Sequence, residues 1–386
     1  MNQPENNFHE MAVAIHQAPL RLVLAVTGGG SMAMAELLKT PGASQTVLEA
    51  VVPYASSSLN DWLGAAPEHY CCAATARAMA MQAFERARQL ADDADGPLAG
   101  VAATCSLASD RPKRGAHRFY AALQTAKSTT CCWVELTKDI RTRGEEETLV
   151  AQVLLNLIAA AAEIPQRMSV AWQTGETLEH QTCPAEPAWT DLLLGRVLAV
   201  WHRGLQRGTL ANSSAGPKAL LPGSFNPLHA GHVAMAHYAA QRLGMPVEFE
   251  LSTQNVDKPS LDFCELWQRR QSFSPKQTLW LTRAPTFVEK ARLFPGTTFV
   301  VGADTISRIG QEKYYHHEPT LRDRALQELH ALGTRFLVFG RQTSTGFQTL
   351  VDLSLPPTLL SMCAEVTAEE FRHDISSTEL RRSASP

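Results

Sequence analysis

One stretch decides how the C-terminal half of the chain is interpreted, Ala219-Leu-Leu-Pro-Gly-Ser-Phe-Asn-Pro-Leu-His-Ala-Gly-His232. A short apolar run, which predicts a buried strand, meets a turn that contains Gly223. His229 and His232 then stand three residues apart where a helix is predicted to begin. Because the N-terminus of a helix presents backbone N–H groups and a partial positive charge, the stretch predicts a loop that binds a polyphosphate.

A second stretch of the same character is Asp374-Ile-Ser-Ser-Thr-Glu-Leu-Arg381. Ser376, Ser377 and Thr378 offer an N-cap and backbone N–H groups at a predicted helix start. Arg381 follows Thr378 by three residues on the same helical face, where its guanidinium can donate two hydrogen bonds to a phosphate. Attack on the α-phosphorus of a nucleoside triphosphate needs in-line positioning and donors aimed at phosphate oxygens. The two stretches together therefore predict nucleotidyl transfer.

Histidine and glycine suit the first stretch for different reasons. His229 and His232 can donate ring N–H bonds to phosphate oxygens. Gly223 permits a tight turn, and Gly231 lets a phosphate approach the backbone closely. We therefore expect both histidines to contact the triphosphate.

The composition is that of an ordinary globular protein with a sizeable core. The length of 386 residues fits two or three domains, and 45% of the residues are hydrophobic against 19% charged. The net charge of −3 provides no basic field that would attract nucleic acid. The N-terminus lacks the layout of a signal peptide, and the most apolar helix candidate, residues 149–162, is too short to span a bilayer. We expect a cytoplasmic enzyme that acts on small molecules and uses neither nucleic acid nor a membrane.

The eight cysteines do not form a recognisable framework. They include two adjacent pairs, Cys71-Cys72 and Cys131-Cys132, and no Cys-x-x-Cys occurs. Buried, reduced thiols are therefore expected rather than disulfides. His180 and Cys183 alone cannot make a zinc site, and no metal ligands are predicted.

Strand and helix signals alternate after the breaker-rich linker at residues 211–218. This alternation predicts a parallel sheet with helices on both faces, in which ligands bind beyond the carboxyl ends of the strands. The opening stretch lies at such an end. The predicted strands are 219–222, 247–253, 278–282, 298–302 and 335–339, and the predicted helices are 233–243, 287–293 and 321–332.

The first 165 residues alternate in the same way and predict a second α/β domain. The predicted strands are 20–26, 46–52, 101–105, 118–123 and 130–136, and the predicted helices are 32–38, 74–90 and 149–162. A further helix is predicted over residues 189–202. We predict one domain over residues 10–165, a connecting segment with the linker over 166–215, and a second domain over 216–386.

The C-terminal motifs resemble those of a known group. The segments 223–232 and 375–381 look like the two signatures of the nucleotidylyltransferase superfamily, and more narrowly of the nicotinamide/nicotinate mononucleotide adenylyltransferases. Phe299-Val-Val-Gly-Ala-Asp304 is similar to a middle motif of these enzymes, and Arg335 to Arg341 resembles their late strand. The resemblance covers roughly residues 218–382 and implies a Rossmann-like domain that joins ATP and a pyridine mononucleotide, releasing pyrophosphate with the help of Mg²⁺.

The resemblance also implies roles for individual residues. His229, His232 and Arg381 would be catalytic and contact the phosphates of ATP. Lys258 and Arg269 are weaker candidates for the acceptor phosphate, with solvated surface charges as the alternative. The nucleotide-binding set would comprise Gly223, Ser224, Phe225, Asn226, Gly231, Gly302, Asp304, Ser376, Ser377 and Thr378.

The first domain resembles the CinA C-terminal family, whose members hydrolyse the amide of nicotinamide mononucleotide. The similar segments are Thr27-Gly-Gly-Gly30, Pro41-Gly-Ala-Ser44, Val51-Val-Pro-Tyr54 and residues 74–81. Leu24 and Ala25 stand where the family has Glu and a nucleophilic Ser, and alanine cannot attack an amide carbon. The expected role is a degenerate pocket in which Thr27, Gly28, Gly29 and Tyr54 bind a pyridine nucleotide, or a surface for homo-oligomerisation.

Three other functions stay open at this stage. The N-terminal domain could still deamidate nicotinamide mononucleotide. The transferase could use another acceptor, such as phosphopantetheine, a sugar phosphate or cholinephosphate, with CTP as donor in some cases. A non-enzymatic protein that binds ATP without turnover is the third alternative.

Overall fold

The computed structural model describes residues 4–110, 114–210, 216–256, 259–343 and 346–371. These residues form two compact units. The first unit runs to Thr190 and also contains the segment that ends at Leu266, and the second unit contains the remainder. Among the described residues, no helix is long and apolar enough to cross a membrane.

The first unit is a mixed sheet with helices. Its strands are β1 (Arg21–Thr27), β2 (Val47–Val51), β3 (Leu98–Ser106), β4 (His117–Thr125), β5 (Ser128–Leu136) and β6 (Glu179–Pro184). Its helices are α1 (Pro4–Gln17), α2 (Ser31–Lys39), α3 (Ala43–Thr46), α4 (Ser56–Leu63), α5 (Ala73–Leu90) and α6 (Arg143–Ala161). The strand order is β2-β1-β3-β4-β5-β6, parallel across β2, β1 and β3 and antiparallel from β3 to β6.

Local sequence explains where these elements begin and what they bury. Helix α6 starts with a capping box, in which Thr142 accepts from the Glu145 amide and Glu145 accepts from the Thr142 amide. Strand β1 is buried along its apolar run from Leu22 to Val26, as expected for a strand covered on both faces. The expected second α/β domain is confirmed.

A segment from the second half of the sequence packs in the first unit. The buried Arg77 side chain bonds Asp262 at 3.0 Å and Glu265 at 3.3 Å, and the Phe263 amide donates to Thr129 at 3.0 Å. Cys183 and Cys264 form a disulfide. The expectation that all cysteines are reduced is therefore wrong at this pair, because the two residues are 81 positions apart and only the fold brings them together.

The second unit is built on a largely parallel sheet. Its strands are β7 (Ala199–Arg203), β8 (Gln206–Thr209), β9 (Ala219–Pro222), β10 (Glu248–Ser252), β11 (Thr278–Thr282), β12 (Thr298–Gly302), β13 (Arg335–Phe339), β14 (Arg341–Thr343), β15 (Gly346–Gln348) and β16 (Cys363–Val366). Its helices are α8 (Ala230–Leu243), α10 (Phe287–Leu293), α11 (Ala303–Gly310), α12 (Pro319–Ala331) and α13 (Pro357–Leu360), with 3-10 turns at Glu312–Tyr315 and Leu350–Asp352. Two helices, α7 (Pro187–Leu194) and α9 (Phe263–Gln271), each have residues in both units.

The order of the second sheet locates its site. The strands run β16-β13-β12-β9-β10-β11-β7-β8 and are parallel from β16 to β11. The chain moves outward from β9 through β10 to β11, and then returns to the other side of β9 with β12. The switch point therefore lies between β9 and β12, and open sheets of this type bind ligands beyond the carboxyl ends of the strands at that point.

The stretch over residues 166–215, predicted as a connecting segment, forms elements of both sheets. Strand β6 extends the first sheet, whereas β7 and β8 extend the second. The helix predicted over residues 189–202 ends at Leu194, because the residues from Ala199 onward alternate as a strand and pair antiparallel with β11. Residues 211–215 lie outside the described part of the chain.

Candidate nucleotide site

The loop after β9 is held by an aromatic anchor. Phe225 is 1% exposed and adopts a positive φ of 43°. Its ring packs edge-on against Phe249, Phe273 and His232 at centroid distances of 5.6, 5.3 and 5.2 Å. A Cβ on Gly223 would lie 2.7 Å from the Phe225 ring, so this position requires glycine. The apolar anchor thus fixes a loop that is otherwise polar.

The first turn of α8 brings the two histidines together. Their rings stack at a centroid distance of 3.8 Å, and the backbone N–H of His229 donates to Nδ1 of His232 at 3.3 Å. Since Nδ1 of His232 accepts this bond, its ring proton lies on Nε2. Burial, and secondly the neighbouring His229, lower the pKa of His232 to about 4. At neutral pH His232 is therefore an uncharged N–H donor.

A cavity of about 290 Å³ opens beside these rings. Its walls come from the carboxyl ends of β9, β12 and β13 and from the start of α8, because parallel strands end at the same edge of the sheet. The lining residues include His229, His232, Gly302, Asp304 and Arg341. The cavity lies at the switch point of the sheet, where a ligand is expected.

The lining of the cavity also contains a charge pair. Asp304 lies in the first turn of α11 and accepts from the Arg341 guanidinium at 2.6 Å. Both side chains remain about half exposed, at 45% and 49%, so they can exchange partners when an anion enters. A Cβ on Gly302 would lie 2.8 Å from an oxygen of the Asp304 carboxylate, so Gly302 leaves room for this side chain in its present position.

A buried ion pair joins β10, the strand next to β9, to helix α10. The Lys290 ammonium donates at 2.8 Å to each oxygen of Glu250 and at 2.8 Å to the Ala284 carbonyl. The backbone carbonyl of Glu250 in turn accepts a bond of 2.9 Å from the amide of Gly223, where the loop after β9 begins. Breaking such a pair would leave a buried charge uncompensated. Neither residue was predicted from the sequence.

The described residues contain several of the predicted site residues in one place. Gly223, Ser224, His229, Gly231, His232, Gly302 and Asp304 line the cavity. Phe225 packs beneath the loop rather than in it, and Asn226 precedes a cis proline bond in the same loop. The Arg269 guanidinium donates to the Ser224 carbonyl at 3.0 Å, so it contacts the loop backbone. Lys258, Ser376, Ser377, Thr378 and Arg381 lie outside the described residues.

Arg341 lines the cavity, although the sequence predicted it only as the last residue of a late strand. One signal marks it, since the residues just after a parallel strand lie at the ligand-binding edge. Among the described residues, no group of three or more His, Cys, Asp or Glu side chains is arranged to hold a metal ion. Asp304 is the only carboxylate among the described residues that line this cavity. A single carboxylate fits Mg²⁺, which commonly binds through one or two carboxylates and the phosphates of the substrate.

The glycine loop of the first unit is closed by the protein's own groups. Gly28 has a φ of 71°, and a Cβ there would lie 2.1 Å from the Cys105 carbonyl oxygen. Its carbonyl accepts from Arg143 at 2.8 Å. Thr27 is buried, and Gly29 packs against the Leu107 side chain. Tight packing thus explains the glycines of this loop.

The start of α2 is bonded to a carboxylate. Glu147 accepts from the Ser31 hydroxyl at 2.9 Å and from the Met32 amide at 3.0 Å. Ala25, at the position of the family nucleophile, is fully buried in β1. Tyr54 follows the neighbouring strand β2, and its ring is 69% exposed. The pyridine-nucleotide pocket predicted here remains a prediction.

A parallel sheet with a strand-order switch, a glycine loop and two histidines at a helix start are the features of a nucleotidyltransferase domain. Residues 220–383 match the family model described as cytidylyltransferase-like, so this part of the chain is a cytidylyltransferase-like nucleotidyltransferase domain. The expected fold class of two α/β domains is confirmed. No curated protein matches the chain.

The N-terminal part is similar to solved structures of the CinA superfamily. The competence/damage-inducible protein CihA from Agrobacterium tumefaciens has 18% identity over 42% of this chain and 99% of its own, with a TM-score of 0.33. A CinA superfamily protein from Klebsiella pneumoniae has 17% identity over 42% of this chain and 97% of its own, with a TM-score of 0.31. One from Escherichia coli has 12% identity over 42% of this chain and 93% of its own, with a TM-score of 0.30.

Proposed function

We propose that the C-terminal domain transfers an adenylyl group from ATP to a pyridine mononucleotide. A phosphate oxygen of the mononucleotide attacks the α-phosphorus, the bond to the bridging oxygen of the β-phosphate breaks, and pyrophosphate leaves with that oxygen. The observation that carries the proposal is the stacked pair of His229 and His232 at a helix start beside the cavity. The choice of acceptor rests on the resemblance of the motifs to the nicotinamide/nicotinate mononucleotide adenylyltransferases.

Each side chain has a defined task in this reaction. His232 offers an uncharged Nε2–H to a phosphate oxygen, and the backbone N–H groups at the start of α8 add further donors. Arg341 is the cation of the described cavity wall, and it can transfer from Asp304 to a phosphate. Mg²⁺, held by Asp304 and the substrate phosphates, would neutralise charge on the phosphates.

The test uses the full chain with Mg²⁺ and each donor in turn, ATP or CTP. Nicotinamide mononucleotide, nicotinate mononucleotide, phosphopantetheine and cholinephosphate are offered as separate acceptors. Pyrophosphate, the adenylylated or cytidylylated product and ammonia are measured together. Dinucleotide formed from ATP, and lost in His232→Ala but kept in His237→Ala on the same helix, is the expected result. Product with another acceptor or donor, or no product from either mononucleotide, overturns the proposal, and ammonia release would instead indicate the hydrolase.

A further inference from the structure

A second cavity of the second unit, of about 490 Å³, lies at the amino end of β11. Among its lining residues are His202 on β7 and Leu279 on β11, which are both buried and stand opposite each other in the strand register. The nucleotide cavity lies instead at the carboxyl ends of the strands, and the described lining residues of the two cavities do not overlap. The volume is that of a site for a small organic molecule.

The loop between α9 and β11, which lines this cavity, is held by its own hydrogen bonds. The Ser274 amide donates to the Gln277 side chain at 2.8 Å, and the Gln277 amide donates to the Ser274 carbonyl at 3.0 Å. The tip of the β7–β8 hairpin packs on the same loop, because a Cβ on Gly204 would lie 3.2 Å from the Pro275 carbonyl oxygen. The cavity is therefore formed before a ligand binds, as is usual for small-molecule sites.

Apolar side chains form part of the lining. The ring of Phe273 lines the cavity and also packs edge-on against Phe225 and Phe249, at a centroid distance of 5.3 Å from each. Leu205, at the tip of the β7–β8 hairpin, lines the cavity and is 100% exposed. A ligand that removes this leucine and the Phe273 ring from water gains free energy from the apolar area it covers. The lining therefore favours a ligand with an apolar body.

The charge of the lining has one sign. Arg270, in the last turn of α9, is the one Lys or Arg among the described residues that line the cavity, and none of these residues is Asp or Glu. Its guanidinium lies 5.2 Å from the centroid of the Trp267 ring, a cation–π contact that orients it. Because a guanidinium binds a carboxylate through two parallel N–H bonds, Arg270 suits a ligand that carries one carboxylate.

We propose that this cavity binds a small amphipathic carboxylate, with its apolar body against Leu205 and Phe273 and its carboxylate on Arg270. The site binds the ligand and performs no chemistry on it. A phosphate monoester carries close to two negative charges at neutral pH, so a single guanidinium balances it less well than it balances a carboxylate. The ligand would contact Phe273, whose ring also packs against Phe225 under the loop after β9.

The experiment measures binding to the full chain by calorimetry without nucleotides, and it locates binding by amide hydrogen exchange. Octanoate is the probe, and octan-1-ol, octylamine and octyl phosphate combine the same apolar body with a different head group. Butanoate combines the same head group with a shorter body. We expect octanoate to bind about tenfold more tightly than octan-1-ol, octylamine or butanoate, and more tightly than octyl phosphate. We expect it to protect residues 202–209 and 270–279, which include the lining, from exchange.

Variants test the individual contacts. Arg270→Gln should weaken octanoate about tenfold and leave octan-1-ol unchanged, whereas Lys276→Gln, in the following loop and outside the lining, should change neither. Leu205→Ser, at a fully exposed position, should weaken both ligands about threefold, and Leu360→Ser, at an exposed position of α13, should weaken neither.

Four results would overturn the proposal: equal binding of octanoate and octan-1-ol, tighter binding of octyl phosphate, unchanged octanoate binding in Arg270→Gln, or protection confined to other parts of the chain. Because no nucleotide is present, each of these results is independent of whether the chain carries out adenylyl transfer.

Discussion

The chain contains two strand–glycine loop–helix junctions that read alike in sequence and differ in structure. In the loop after β9, the helix start faces a cavity lined by His229, by the uncharged His232 and by a charge pair. In the loop after β1, the Ser31 hydroxyl and the Met32 amide of α2 donate to the Glu147 carboxylate, and Arg143 donates to the Gly28 carbonyl. The helix start after β1 thus binds an internal carboxylate, whereas we propose that the helix start after β9 binds an external anion.

The comparison shows that a glycine loop alone does not make an anion site. Glycine is required after β1 because a Cβ on Gly28 would meet the Cys105 carbonyl, and after β9 because a Cβ on Gly223 would meet the Phe225 ring. In both loops, therefore, close packing is the reason that glycine is required. What distinguishes the loop after β9 is the uncharged His232, which stacks on His229 beside a cavity.

Loss of His232 should have the largest effect. We expect His232→Ala to lower kcat/KM for adenylyl transfer about 100- to 1,000-fold, because it removes an oriented donor to the phosphate oxygens. Steady-state pyrophosphate release measures this effect. His237→Ala, on the exposed side of the same helix, is the control and should stay within about twofold. Full activity of His232→Ala would show that the histidine pair is only a helix cap.

Loss of Glu147 should affect stability and leave transfer unchanged. Glu147→Ala removes the acceptor for the Ser31 hydroxyl and the Met32 amide, which we expect to cost about 1–2 kcal/mol of unfolding free energy. The urea midpoint of the full chain measures this cost. Glu147→Gln keeps a carbonyl oxygen as acceptor and should retain most of the stability. A drop in kcat with unchanged stability would indicate that the first loop has a functional role.

Loss of Arg341 should act on the binding of the donor nucleotide. We expect Arg341→Ala to raise the KM for ATP about five- to tenfold with a smaller change in kcat, because a partly exposed cation that bonds Asp304 is worth roughly 1 kcal/mol to a phosphate. Arg335→Ala, at the exposed beginning of the preceding strand β13, should leave KM unchanged. An unchanged KM in Arg341→Ala would mean that this guanidinium remains with Asp304 throughout turnover.

The sequence was sufficient for the elements whose patterns are local. Strands β9, β11, β12 and β13 were predicted with the bounds that the structure has, because each is a short apolar run between breakers. Strand β7 was mistaken for part of a helix, because its apolar residues pair with β11, which lies some 75 residues further on, and local periodicity does not show that partner.

The site residues, too, were predicted where the signal is local and missed where it depends on distant parts of the chain. The loop residues could be named from the motif, whereas Arg341 enters the cavity only because β13 is parallel to β12 and ends at the same edge. Phe225 was predicted to bind nucleotide, and its ring instead packs under the loop, since a positive φ turns it toward Phe249 and Phe273. The Cys183–Cys264 disulfide has no local signal at all.

The smallest expected effect concerns the charge of His232. Its neutrality distinguishes the loop after β9 from the loop after β1, where the Glu147 carboxylate is bonded to the helix start. Burial and His229 lower the folded pKa of His232 to about 4, below the value near 6.5 of an unfolded histidine. As the pH falls below about 6.5, the unfolded chain gains a proton at this site and the folded chain does not, so His232 lowers the stability of the fold.

We therefore expect the unfolding free energy of His232→Asn to fall less than that of the unchanged protein between pH 7 and pH 5. Urea titrations at several pH values measure the difference, with His237→Asn as the control. A steeper fall in His232→Asn would show that His232 is charged in the folded state. In that event a phosphate in the loop after β9 would be held by charge, and the neutrality of His232 would no longer distinguish this loop from the loop after β1.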